Sequence, residues 1–138
     1  MLYMMLALVL GAPVSASTAD VQRQDAKEVA REFAECAGFW RAYAEFVQDL
    51  QPSTAEQTAN IGNGASIAAS YFASSFAASP AVWVKRYEES EQIRWRSFLS
   101  DQLVTVEEVE MRTADCAAIA PVQKEIIDEL RDREAGVE

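Results

Sequence analysis

The sequence predicts an all-α fold, a small four-helix bundle whose first and last helices are joined by one disulfide. Three observations lead there. Apolar residues recur at alternating intervals of three and four along two long stretches, the period of one helix face. Helix start and stop signals fall between the periodic stretches. No run alternates with period two, and the Asn63-Gly64 pair is flanked by Ala and Ser instead of strand formers. With 138 residues, half of them hydrophobic, the chain is long enough for one domain with its own core.

Residues 2–10 read LYMMLALVL and are followed by Gly11, Pro13 and Val14-Ser15-Ala16. A short apolar core, a helix breaker and a small-x-small pattern are the layout of a secretory signal peptide, although no Lys or Arg precedes the core. The run is too short for a membrane span, which needs about 20 residues. Residues 1–16 are therefore read as a leader and residues 17–138 as a single helical domain, periplasmic or secreted. The first helix is expected over residues 20–50. Val29, Phe33, Cys36, Trp40, Tyr43, Val47 and Leu50 form its seam, Thr18 or Asp20 its cap, and Gln51-Pro52 its end.

Ser53-Thr54-Ala55-Glu56 matches a capping box and starts a second helix, residues 54–78. Residues 57–84 carry no charge and are rich in Ala and Ser, which reads as a central helix packed through small residues. Gly62-Asn63-Gly64 is expected to kink or split it. Ser79-Pro80 opens a third helix, residues 80–100, with Val82, Val84, Tyr87, Trp95, Phe98 and Leu99 inward and Lys85, Arg86, Glu88, Glu89 and Glu91 outward. Thr105 to Glu108 is a second capping box, opening residues 105–133. That last seam runs Val106, Val109, Thr113, Cys116, Ala120, Gln123, Ile127 and Leu130, with a kink or break near Pro121.

Cys36 and Cys116 both fall on inward seams, and an even count in an exported chain favours a structural disulfide. Neither belongs to a C-x-x-C motif, which argues against a redox-active pair.

The chemistry available is narrow. The chain has no histidine, which removes His-based triads, imidazole ligands and di-metal Glu-x-x-His sites. No serine sits in G-x-S-x-G or S-x-x-K, and the acidic clusters Glu28-Glu32-Glu35, Glu88-Glu89-Glu91 and Glu107-Glu108-Glu110 lack an EF-hand pattern and read as solvated faces. No catalytic residue, cofactor or metal is assigned. A net charge of −10 disfavours nucleic acid.

The expected function is a small exported binding protein without catalytic activity, its partner another protein. The alternatives are a carrier of an apolar or amphiphilic small molecule between helices, or a protein lying on an envelope surface. Candidate interaction residues are Arg94, Trp95, Arg96, Trp83 and Tyr87, because Trp, Tyr and Arg dominate interface hot spots.

Overall fold

The computed structural model describes residues 2–136, with side chains from Asp25 onward. Among these residues the chain is entirely helix and connecting turns. The segments are α1 (Leu2–Val47), α2 (Pro52–Ala73), α3 (Pro80–Ser100), α4 (Val106–Ala118) and α5 (Ala120–Gly136). The leader reading of residues 1–16 falls outside the residues whose side chains are described. Backbone there is helical from Leu2, so α1 extends through the positions offered as caps at 18 and 20.

At its other end α1 stops at Val47, three residues early, and the last seam residue, Leu50, is 86% exposed in the turn before Pro52. The rest of the seam holds, with Phe33, Cys36 and Trp40 buried and Val29, Tyr43 and Val47 half-buried. Phe39 is also fully buried. α1 is therefore apolar on two faces. One, with Phe33, Ala34 and Ala37, packs on Ala65, Ala68, Ala69 and Ala73 of α2. The other, with Cys36, Phe39 and Trp40, packs on Trp95 and Leu99 of α3 and on Cys116. The helix at the centre is thus α1. The uncharged stretch was expected there, but α2 touches its neighbours along one small-residue face and turns Ile61 and Ile67 outward.

Glycines explain how closely the helices approach. A β-carbon on Gly38 would collide with the α3 backbone at Glu88 and stand 2.9 Å from Gln92 N. One on Gly62 would lie 3.3 Å from Trp40 Cβ, and Gly64 lies under the Gln123 side chain of α5. The Gly62-Asn63-Gly64 run therefore neither kinks nor splits α2, which is continuous from Pro52 to Ala73. Its glycines are contact points, and tertiary packing offsets their cost in helix propensity, about 1 kcal/mol each.

Starts and stops follow the sequence unevenly. Thr105 forms the expected capping box, accepting from Glu108 N while the Glu108 side chain accepts from Thr105 N. The box expected at Ser53 is absent: α2 begins two residues earlier, capped at Gln51 with no side-chain bond and with Pro52 in its first turn. Proline already fits that turn without an N–H to satisfy, so the helix starts there. Ser79 is the N-cap of α3, again without a side-chain bond. The break in the last helix sits at Ile119, between α4 and α5, where Pro121 removes the donor that would have reached Ala117. The break rotates the inward face, so Ile126 is buried and Ile127 of the expected seam is half-buried.

The Cys36–Cys116 disulfide is present, with Cα atoms 5.5 Å apart, and joins α1 to α4 across 80 residues of chain. Closing a loop that long lowers unfolded-chain entropy by the equivalent of about 4.5 kcal/mol, an upper figure. Among the described residues no helix is long and apolar enough to cross a membrane.

The α1–α3 contact makes a sharp prediction. Gly38→Ala forces backbone apart at a site with no flexible side chain to yield, and overpacking of this kind costs about 1–3 kcal/mol. Chemical denaturation should show that loss, whereas Gly136→Ala, with open space around it, should be neutral.

Candidate functional site

The third helix departs most from its expected pattern. Glu88 and Glu91, placed on a wet face by their charged neighbours, are 6% and 7% exposed. Their burial follows from the close approach at Gly38, which brings this stretch of α3 down onto α1. Arg41 of α1 answers Glu88 at 3.1 Å and donates to Asn63 of α2 at 3.0 Å, linking three helices through one guanidinium. The Arg41–Glu88 contact is ionic without hydrogen-bond alignment, leaving Glu88 Oε1 and Arg41 Nε without a hydrogen-bond partner among the described residues.

Glu91 is better satisfied. Its Oε1 accepts from Arg94 at 2.9 Å, and its Oε2 accepts from the Trp95 indole at 3.2 Å and faces Arg112 of α4 at 3.5 Å. A single carboxylate thus orients Trp95 and ties α3 to α4. Trp95 itself is 6% exposed and meets Phe39 edge to face, with ring centroids 4.9 Å apart. Among the five residues expected to form an interaction surface, this one is core.

The other four do not converge on one surface. Arg94 lies over the Phe98 ring at 5.3 Å. Arg96 clasps Glu45 through two bonds of 2.8 and 3.0 Å. Trp83 and Tyr87 are half-buried in a separate aromatic group with Phe76, closed by Arg31 over Tyr87 at 5.0 Å. Arg31 also pairs with Glu35 of the first acidic cluster, which raises the Arg31 pKa above its ordinary value. The Cys36–Cys116 bond is structural in placement, buried at both ends. Among the described residues no group of three or more potential ligands could hold a metal ion.

Of the hollows that adjoin these residues, the two roomiest differ in character. The larger, about 470 Å³, lies between α1, α2 and α3 beside Arg41, Glu45, Asn63 and Gln92. Several of its polar groups serve one another, Arg41 with Asn63 and Gln92 with Glu45, which Arg96 also holds. The smaller, about 270 Å³, is apolar and opens where α1 ends and α3 turns into α4. Tyr43 and Phe46 form one wall, Phe98 and Leu99 another, and Val104, Val106 and Val109 the third. Beside it Gln102 adopts φ 56°, a left-handed conformation that ordinarily favours glycine, and Leu103 N closes the turn onto Phe98 O at 2.9 Å. Large apolar side chains are exposed around this groove: Phe46 at 52%, Leu103 at 64% and Val106 at 72%, besides Leu50.

Inspection of the chain for aromatic and arginine clusters misses this groove. Its signal was present in another form. Leu50 and Val106 are the terminal members of the two seams, and the first and third connections flank apolar residues with no partner helix to cover them.

Two consequences can be measured. Glu91→Ala strands the Trp95 N–H and leaves Arg112 without its buried partner, and breaking such a pair costs about 3–5 kcal/mol. Glu91→Gln, which keeps an acceptor, should cost clearly less by denaturant midpoint. The Glu45 pKa is lowered, chiefly by the hydrogen bond from Arg96 and further by Gln92, with partial burial opposing. A lowered carboxylate pKa stabilises the fold above the unfolded-chain value, and that contribution disappears as pH falls through the folded value. Wild type should therefore lose more stability between pH 5 and pH 3 than Glu45→Gln, by about 0.2–1 kcal/mol for a pair this exposed.

Compared with known proteins, the chain matches no family model, no curated protein and no solved structure.

Proposed function

We propose that this chain is an exported four-helix bundle, its last helix in two pieces, that binds another protein and performs no chemistry of its own. The observation that carries the reading is the apolar corner between the end of α1 and the α3–α4 turn. Large apolar groups there are exposed together around a groove, instead of singly as on an ordinary surface. The absence of histidine and of nucleophile motifs supports binding over catalysis. A buried disulfide and a leader-like start support an oxidising compartment outside the cytoplasm.

The carrier alternative draws less support. The two hollows beside the uncharged helix, about 470 and 460 Å³, each carry several polar side chains, Arg41, Glu45, Asn63 and Gln92 in one and Ser66, Ser70, Ser74 and Arg133 in the other, which suits an apolar cargo poorly.

Photo-crosslinking in the native host tests the proposal. A photoreactive residue replaces Leu103 at the corner or Val82 on α3, two apolar positions both 64% exposed. A discrete protein adduct from position 103 that is weak or absent from position 82 is the expected result. No protein adduct from 103, with a small molecule retained by the purified chain in native mass spectrometry, would overturn it in favour of the carrier.

A further inference from the structure

The chemistry of the corner narrows the partner. The groove is lined from residues 43–46 and 98–109, which lie within two segments, residues 42–56 around the end of α1 and residues 97–111 around the α3–α4 turn. Between them they carry Glu45, Asp49, Glu56, Asp101, Glu107, Glu108 and Glu110, and not one Lys or Arg. Some of these carboxylates have work inside the fold: Glu45 holds Arg96, Glu108 caps α4, and Asp101 accepts from Ser97. Asp49, Glu107 and Glu110 are exposed and make no ion pair with any described residue. The nearest bases are engaged, Arg96 with Glu45 and both Arg94 and Arg112 with Glu91, so these three carboxylates leave an unpaired acidic surplus beside the apolar groove.

From this juxtaposition we infer that the groove receives a basic amphipathic segment of a partner protein, one that inserts apolar side chains between Phe46, Phe98 and Val106 and sets Lys or Arg against Asp49, Glu107 and Glu110. The inference rests on the protein-binding reading above and adds the chemistry of the partner. Complementary rims speed encounter and reject wrong partners, while like charges placed face to face are costly. That argues against a second copy of this chain as the occupant, since pairing the corner with itself opposes acid to acid. Apolar insertion supplies the salt-insensitive part of the affinity, and the rim supplies the salt-sensitive part.

The probes are a fluorescent synthetic Leu/Lys amphipathic helix and its Leu/Glu counterpart, titrated with the intact oxidised protein. One variant carries Asp49→Lys, Glu107→Lys and Glu110→Lys. A control carries Glu125→Lys, Asp132→Lys and Glu134→Lys on α5, which gives the same net charge away from the corner. A third, Val106→Ser, alters the groove at an exposed position where folding is little affected. The Leu/Lys peptide should bind and weaken with salt. The corner variant and Val106→Ser should each weaken it about tenfold, while the α5 variant leaves it unchanged. Equal weakening by the corner and α5 variants would show general attraction to an acidic protein and overturn the inference. Binding of the Leu/Glu peptide that is lost in Val106→Ser would also overturn it, yet keep the groove as a protein-binding surface. A dimer of the chain that competes with the peptide overturns it too.

Discussion

Simultaneous close contact of α1 with two neighbours is the constraint from which the rest of the architecture follows. On one side alanine faces alanine between α1 and α2, and on the other Gly38 lets the α3 backbone rest directly against the α1 backbone. Side chains this small give up area per residue but bring many atoms into dispersion range. The bulky groups must then go elsewhere. Phe39, Trp40, Trp95 and Leu99 fill the space flanking the α1–α3 contact line, while Ile61 and Ile67 are turned to the outside of α2. The same closeness takes Glu88 and Glu91 out of water, which in turn requires arginines from α1 and α4. A buried ionic arrangement that reads as an oddity of α3 is a result of a missing β-carbon on α1.

Much of this was legible in the chain, for reasons that can be assigned. The all-helical class, the two cysteine seams and the Thr105 capping box rest on local periodicity and local hydrogen bonding, which a sequence carries directly. What could not be read depends on partners distant in sequence. Glu88-Glu89-Glu91 looks like any solvated stretch until Arg41 and Arg112 are brought to it. Gly62 and Gly64 look like breaks until Trp40 and Gln123 stand against them. Trp95 between two arginines looks like an edge residue, but a helix turns each neighbour by about 100°, so flanking charges say nothing about the face between them. The groove failed to register because it is made by helix ends of unequal reach, a property of the assembled fold.

The acidic surplus also acquires a location. A charge of −10 on a chain this size favours solubility through general repulsion. Its distribution is uneven: the segments around the end of α1 and the α3–α4 turn contain no Lys or Arg, and Arg96 answers only Glu45 there. Elsewhere, short-range pairs such as Lys124–Asp128 and Arg133–Glu129 neutralise the surface turn by turn.

The disulfide has a topological meaning beyond its contribution to stability. Cys36 and Cys116 close residues 36–116 into a covalent ring, and the three connections at 48–51, 74–79 and 101–105 all lie within it. Exposed connections are where proteases cut. A nick in any of the three leaves one molecule with its helices still tethered, so the fold tolerates backbone cleavage at every inter-helix turn except one. That exception is Ile119, outside the ring, beyond which α5 is held by Ile126 and Leu130 at the core and by side-chain contacts to α2, with no covalent tie.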